Sequence, residues 1–207
     1  MWERITGFLF SPSTTFDASK GDTLGDALKY FVIIMAIYAI FIAIIATVTF
    51  SLLAGMLELF GAPIAMPFGA ALGPAAAIIF FSAALIGGII GSFITGLWLH
   101  LWVYLVGGRK GLEKTIIALL YGQTPYLLLG WIPIINFIAL LWTIIVEIIG
   151  VRQLHELTTG KAVIAVILAL IIPLIVFGVL FAVFFMPLMH GPVGYGPSIV
   201  PRMGGSL

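Results

Sequence analysis

The feature that most constrains this chain is a series of long apolar runs with almost no charge inside them. They lie near Lys29 to Leu57, Ala75 to Val106, Leu112 to Leu129, Ile134 to Gly150 and Ala162 to Met186. A spanning helix needs about 20 such residues. An outer-membrane barrel would instead show segments of about 10 residues alternating in and out, so helices are the spanning element. Charged residues make up 8% of the 207, against about a quarter in soluble domains, which excludes a water-soluble fold. The expected fold class is all-α: a polytopic integral membrane protein built as a bundle of five transmembrane helices. Short polar intervals between the runs leave no room for a separate soluble catalytic domain.

The first two runs exceed the need, so each must tilt, protrude or include an interfacial turn. The third and fourth are separated by Gly130-Trp131-Ile132-Pro133, the composition of a tight helical hairpin with an interfacial Trp. Basic residues in the connections are retained on the cytoplasmic side. Arg4, Lys20, Lys29, Arg109, Lys110, Lys114, Arg152 and Lys161 fall on one side and Arg202 alone on the other. This places the N-terminus in the cytoplasm and the C-terminus outside.

Residues 1–28 form a cytoplasmic segment. In it Trp2, Ile5, Phe8, Leu9 and Phe10 follow helical spacing beside Glu3 and Arg4, which suggests a short amphipathic helix on the inner leaflet or, equally, one packed on the bundle. Residues 29–186 form the membrane domain. Residues 187–207, rich in Gly and Pro, read as an irregular exterior tail, and the stretch 58–74 allows a re-entrant segment.

The most specific internal pattern is in the second run. Ala83, Gly87, Gly91 and Thr95 recur by fours, as do Ala84, Gly88, Ser92 and Gly96, giving two adjacent ridges of small residues. Such a face lets another helix backbone approach closely in lipid. It serves either as a packing seam within the chain or as an interface for a partner protein or second copy. Polar groups inside spans are costly and therefore functional candidates. His100, Gln123 and Glu147 qualify, with His100 about 9 Å and Glu147 about 5 Å from the inner ends of their runs. Pro125 cannot donate to the carbonyl of Tyr121 and kinks its helix, and Pro173 allows a similar opening in the fifth run.

Enzyme and metal signatures fail. His155-Glu156-Leu157-Thr158-Thr159 begins like a zinc-protease helix but has Thr159 where a second histidine is required. Ser92 has no base within reach on its own helix, since His100 lies about 12 Å along the axis. There are no cysteines, so thiolate chemistry is excluded. Neither a metal site nor a cofactor is expected, and a net charge of +1 offers no nucleic-acid footprint.

Several features together resemble the Ypt-interacting protein (Yip) family of five-span membrane proteins. They are Ser11-Pro12 and Phe16 before the first run, Gly107-Gly108 leading into the third, Tyr121 and Pro125 within it, Trp142 on the fourth, and above all Ile149-Gly150-Val151-Arg152-Gln153-Leu154-His155-Glu156-Leu157-Thr158-Thr159-Gly160-Lys161-Ala162. The likeness covers Ser11 to Met186. It implies a membrane-organising or adaptor role without known catalysis, and in eukaryotic members the binding of Rab-type GTPases. This chain lacks their long hydrophilic N-terminal domain and their Asp-Leu-Tyr-Gly-Pro stretch, and has Tyr121-Gly122 where they carry Gly-Tyr. It therefore resembles the short prokaryotic relatives, and GTPase binding is not carried over. The expectation is a non-enzymatic protein of a prokaryotic cell membrane that binds lipid, itself or partner proteins through residues 83–96 and the basic loops. The alternative is a small transporter or channel with a path along His100, Gln123 and Glu147.

Overall fold

The computed structural model describes residues 1–61 and 73–190. These contain eight helices and no strand: α1 Trp2–Phe10, α2 Pro12–Ala18, α3 Leu24–Leu59, α4 Gly73–Leu105, α5 Leu112–Gly122, α6 Thr124–Leu129, α7 Ile135–His155 and α8 Thr159–His190. Four helices are long and apolar enough to cross a membrane: Leu24–Leu59, Ala75–Leu105, Ile135–His155 and Thr159–Met186. The stretch 58–74 lies for the most part outside the described residues, as does the tail beyond His190; α8 itself continues past Pro187.

Local chemistry explains the boundaries. Pro12 opens α2 at a position where its missing N–H is no loss. α3 starts five residues before Lys29 because Thr23 and Asp26 form a capping box: Thr23 N–H donates to Asp26 Oδ2 at 3.1 Å and Asp26 N–H to Thr23 Oγ1 at 3.3 Å. The third apolar run keeps its expected ends but is two helices, interrupted at Gln123 just before Pro125. α7 runs past Gly150 to His155 and stops where Glu156 turns left-handed, at φ 55°.

The chain divides into two compact units, Met1–Ala169 and Leu170–Leu207. In the first, α5 is the centre: Thr115 to Gly122 are all buried, and α3, α4 and α7 pack around it. The N-terminal segment belongs to this core. Phe8 and Phe16 are fully buried, Phe8 stacks on Tyr121 with centroids 4.7 Å apart, and the Trp142 indole N–H donates to the Leu9 carbonyl at 2.9 Å. Trp2 and Phe10, on the same helix, stay exposed. α6 and α7 are joined by a turn at 130–134, where Trp131 stacks on Phe41 at 4.1 Å with the rings 5° from parallel. In the second unit the helix carries Pro173 without interruption and an exposed ladder of Phe177, Phe181 and Phe185, whose neighbouring rings stack.

Candidate functional site

The break between α5 and α6 is where this bundle departs from plain helix packing. Pro125 leaves the Tyr121 carbonyl without its usual donor, and Thr124 Oγ1 fills the vacancy at 2.6 Å. The same hydroxyl lies 3.0 Å from Tyr30 OH on α3. Two residues on, the Tyr126 N–H donates to Thr143 Oγ1 of α7 at 3.0 Å, outside the ordinary helix ladder. From α4, Ser92 Oγ donates to Gln123 Oε1 at 3.2 Å. Side chains of three neighbouring helices thus hold the break, as buried polar groups require.

Glu147 of α7 closes the side of this break. A Cβ built on Gly122 would meet Glu147 Cγ at 2.5 Å and its Cα at 3.1 Å, so the absence of a side chain at Gly122 is what lets α7 pass so close. Among the described residues Glu147 has no hydrogen-bond or ion-pair partner. Because α7 extends to His155, Glu147 sits about 12 Å from the end of its helix.

His100 bonds elsewhere. Its Nδ1 lies 2.8 Å from Thr115 Oγ1, which in turn lies 2.9 Å from His155 Nε2. Thr115 is fully buried and His155 is 4% exposed. A hydroxyl has one proton, so between two neutral imidazoles it donates to one and accepts from the other. His155 Nδ1 is buried without a partner; since an orphaned N–H is rarer than an under-satisfied acceptor, we assign the proton of His155 to Nε2, donating to Thr115, which donates to His100. The polar candidates therefore fall into two groups: Gln123 and Glu147 at the break, and His100 with Thr115 and His155.

The two ridges of α4 also separate. Ser92 and Gly96 are buried, a Cβ on Gly96 would meet Ile116 Cγ1 at 3.0 Å, and Gly88 faces the end of the Met35 side chain. This ridge packs inside the chain at Ser92 and Gly96, while Gly88 and Ala84 are half-buried. A Cβ added at Gly87 or Gly91 would meet nothing from the rest of the fold within 4 Å, and Ala83, Gly87 and Thr95 are exposed.

The basic loops meet at one end of the bundle. Lys114 donates to the carbonyls of Lys20 and Asp22 at 2.8 and 3.1 Å, and Glu113 accepts from Leu24 N–H at 3.0 Å. Lys110 pairs with Glu156 at 2.7 Å, Arg152 reaches Ser13 at 3.3 Å, and the Lys161 amine lies beside Gly107. Arg109 folds back over the Tyr104 ring, 3.9 Å from its centroid. A cleft of about 170 Å³ is lined by Lys20, Lys110, Lys114, Gln153, Leu154 and Glu156. The hydrogen bond from Lys110, helped by its charge, holds the Glu156 carboxyl below the usual glutamate range. Nearby, Arg4 Nη1 donates to Asp22 Oδ2 and to Tyr121 OH, each at 2.7 Å, and Tyr121 OH donates to the same Asp22 oxygen at 2.6 Å. The bond to Asp22 raises the Arg4 guanidinium above its ordinary range.

Sequence reasoning missed Thr115, Thr124, Thr143 and His155 as members of these groups. Thr124 had a local signal, since a hydroxyl beside a helix-breaking proline can cover the carbonyl that the proline frees. Thr115 and His155 had none, because their pairing depends on how α4, α5 and α7 meet. Among the described residues no group of three His, Cys, Asp or Glu is placed to hold a metal.

Fold and site together define a class: an all-helical membrane protein whose polar groups knit a broken inner helix to its neighbours. Residues 6–184 match the Yip1 domain, and the chain belongs to that family. It is a membrane family not known for catalysis. No curated protein and no solved structure matches the chain.

Proposed function

We propose that this Yip1-domain protein is a non-enzymatic organiser of a prokaryotic cell membrane, acting by self-association or partner binding through the open ridge of α4. In this reading five helical segments are embedded in the bilayer, the N-terminus is cytoplasmic, the C-terminus is outside, and the basic loops face anionic lipid. The observation that carries it is the division of the small-residue face. One ridge meets α3 and α5 at Gly88 and Gly96, while on the other Ala83, Gly87 and Thr95 are exposed and a Cβ added at Gly87 or Gly91 would meet no neighbouring segment within 4 Å. In lipid such a surface gains close backbone contact only from another helix. The experiment is to replace Gly87 and Gly91 with Leu and size the protein in mild detergent. An assembly that falls apart supports the role, and an assembly unchanged in size refutes this interface.

A second reading, transport along the α5–α6 break, is favoured by the unpartnered Glu147 carboxyl against Gly122. Discontinuous helices in membranes are where transporters expose backbone to substrates. It requires flux in reconstituted vesicles that Glu147→Gln reduces; equal flux in the two proteins removes Glu147 from any path.

A further inference from the structure

The turn between α6 and α7 lies beside the middle of α3, not beside its end. Trp131 stacks on Phe41, and Tyr126 lies against Tyr38 with centroids 5.9 Å apart. α3 is flanked by Lys29 towards its start and Glu58 towards its end, with no charge between them. At 1.5 Å per residue, Phe41 is about 18 Å along the axis from Lys29 and about 26 Å short of Glu58. With Lys29 at the inner boundary of a hydrocarbon core about 30 Å thick, the turn lies at least about 12 Å below the outer boundary, and farther below it when α3 is tilted. Sliding the bilayer until its outer face met the turn would bury the charge of Lys29. It would also put the exposed Ile44, Val48, Leu52 and Met56 in water, and both changes are unfavourable.

The chemistry of the turn agrees with that depth. From Thr115 to Val146 there is no Asp, Glu, Lys, Arg or His. The exposed side chains at the turn and first turns of α7 include Ile134, Phe137, Ile138 and Leu141, with Ile134 81% exposed. A water-facing turn would carry polar residues. The hydrogen bonds close inward: Gly130 N–H donates to Tyr126 O at 2.7 Å, Asn136 Nδ2 to Gly130 O at 2.5 Å, Ile135 N–H to Pro133 O at 2.9 Å and Asn136 N–H to Ile132 O at 2.9 Å. The Trp131 indole N–H, which at a membrane surface would face water or headgroups, donates instead to Leu128 O at 2.8 Å. Internal pairing of this kind is what backbone in hydrocarbon requires.

We propose that the α5–α6–α7 hairpin turns inside the hydrocarbon layer, entering and leaving on the cytoplasmic side and presenting Ile134 and Phe137 to lipid acyl chains. It is then a re-entrant element of the inner half of the bilayer, and α3 and α4 contact lipid beyond it. The number of full crossings falls by two, so the orientation of both termini is unchanged. The proposal rests on the cytoplasmic orientation given above for naming the side, and its test separates the two.

The chain has no cysteine, so single substitutions serve as unique probes. Phe60→Cys, Thr14→Cys and Ile134→Cys are each treated in intact spheroplasts with a membrane-impermeant maleimide, then again after permeabilisation and after denaturation in SDS. Phe60→Cys should react from outside and Thr14→Cys only after permeabilisation. Ile134→Cys should react ~10-fold or more slowly than both in the folded protein, since a thiol in hydrocarbon meets neither water nor reagent. A nitroxide on Ile134→Cys should be open to oxygen and closed to a polar nickel chelate. Labelling of Ile134→Cys from outside at the rate of Phe60→Cys, or free access of the chelate, would overturn the proposal. Reversed behaviour of the two reference sites with Ile134→Cys still protected overturns the orientation and supports the hairpin.

Discussion

At Gly150 a single hydrogen decides whether the N-terminal segment can join the core. A Cβ there would meet Phe16 Cζ at 2.6 Å and Cε1 at 2.9 Å, and Phe16 is fully buried with its ring 4.9 Å from that of Phe8. A ring held in this way has nowhere to go, so Gly150→Ala should destabilise the protein by about 1–3 kcal/mol, the usual cost of overpacking. Thermal unfolding in detergent checks the magnitude, and faster tryptic cleavage after Lys20 should report the loosened segment. Gly87→Ala, in open space, should leave both unchanged in the monomer. In the sequence Gly150 marked the end of an apolar run and the start of the family-like segment, not a contact. Its partner lies on α2 at the other end of the chain, so no local pattern could disclose the contact.

At the scale of the element, the α5–α6 break shows how far local chemistry reaches. Pro125 announced a kink, and the freed Tyr121 carbonyl followed from the missing N–H. What the sequence left open was how the polar groups would be satisfied: by Thr124 next door, by Tyr30 from α3, by Thr143 from α7 and by Ser92 from α4. Three of these four come from other helices and depend on packing. The start of α3 was legible in principle, since Thr23 and Asp26 carry the capping-box spacing, but the apolar run drew the boundary to its own edge. Thr124→Val keeps the shape and removes the hydroxyl, leaving a buried carbonyl and a buried phenol short of a partner. It should cost about 1–3 kcal/mol, while Thr124→Ser should recover most of that in the same detergent melting experiment.

At the scale of the molecule, charge sets how the chain would lie in a bilayer. Contacts within the first unit join Arg4, Lys114, Lys110 and Arg152 to one end, through Asp22, Lys20, Glu156 and Ser13. These tie the N-terminal segment, the α4–α5 connection and the α7–α8 connection together. Bringing that end across a bilayer would cost roughly 2.5–3.5 kcal/mol for each Lys or Arg forced through its centre, a cost that the proposed orientation avoids. The expected outcome in a bacterial host is direct. Green fluorescent protein fused to the N-terminus fluoresces, alkaline phosphatase fused after Phe60 is active because it is exported, and the same phosphatase fused after Thr158 is inactive. The re-entrant hairpin leaves this pattern intact, because leaving and returning on one side adds no net crossing. An active phosphatase after Thr158 would mean that α7 and α8 meet outside the cell, and would overturn the orientation read from the basic residues.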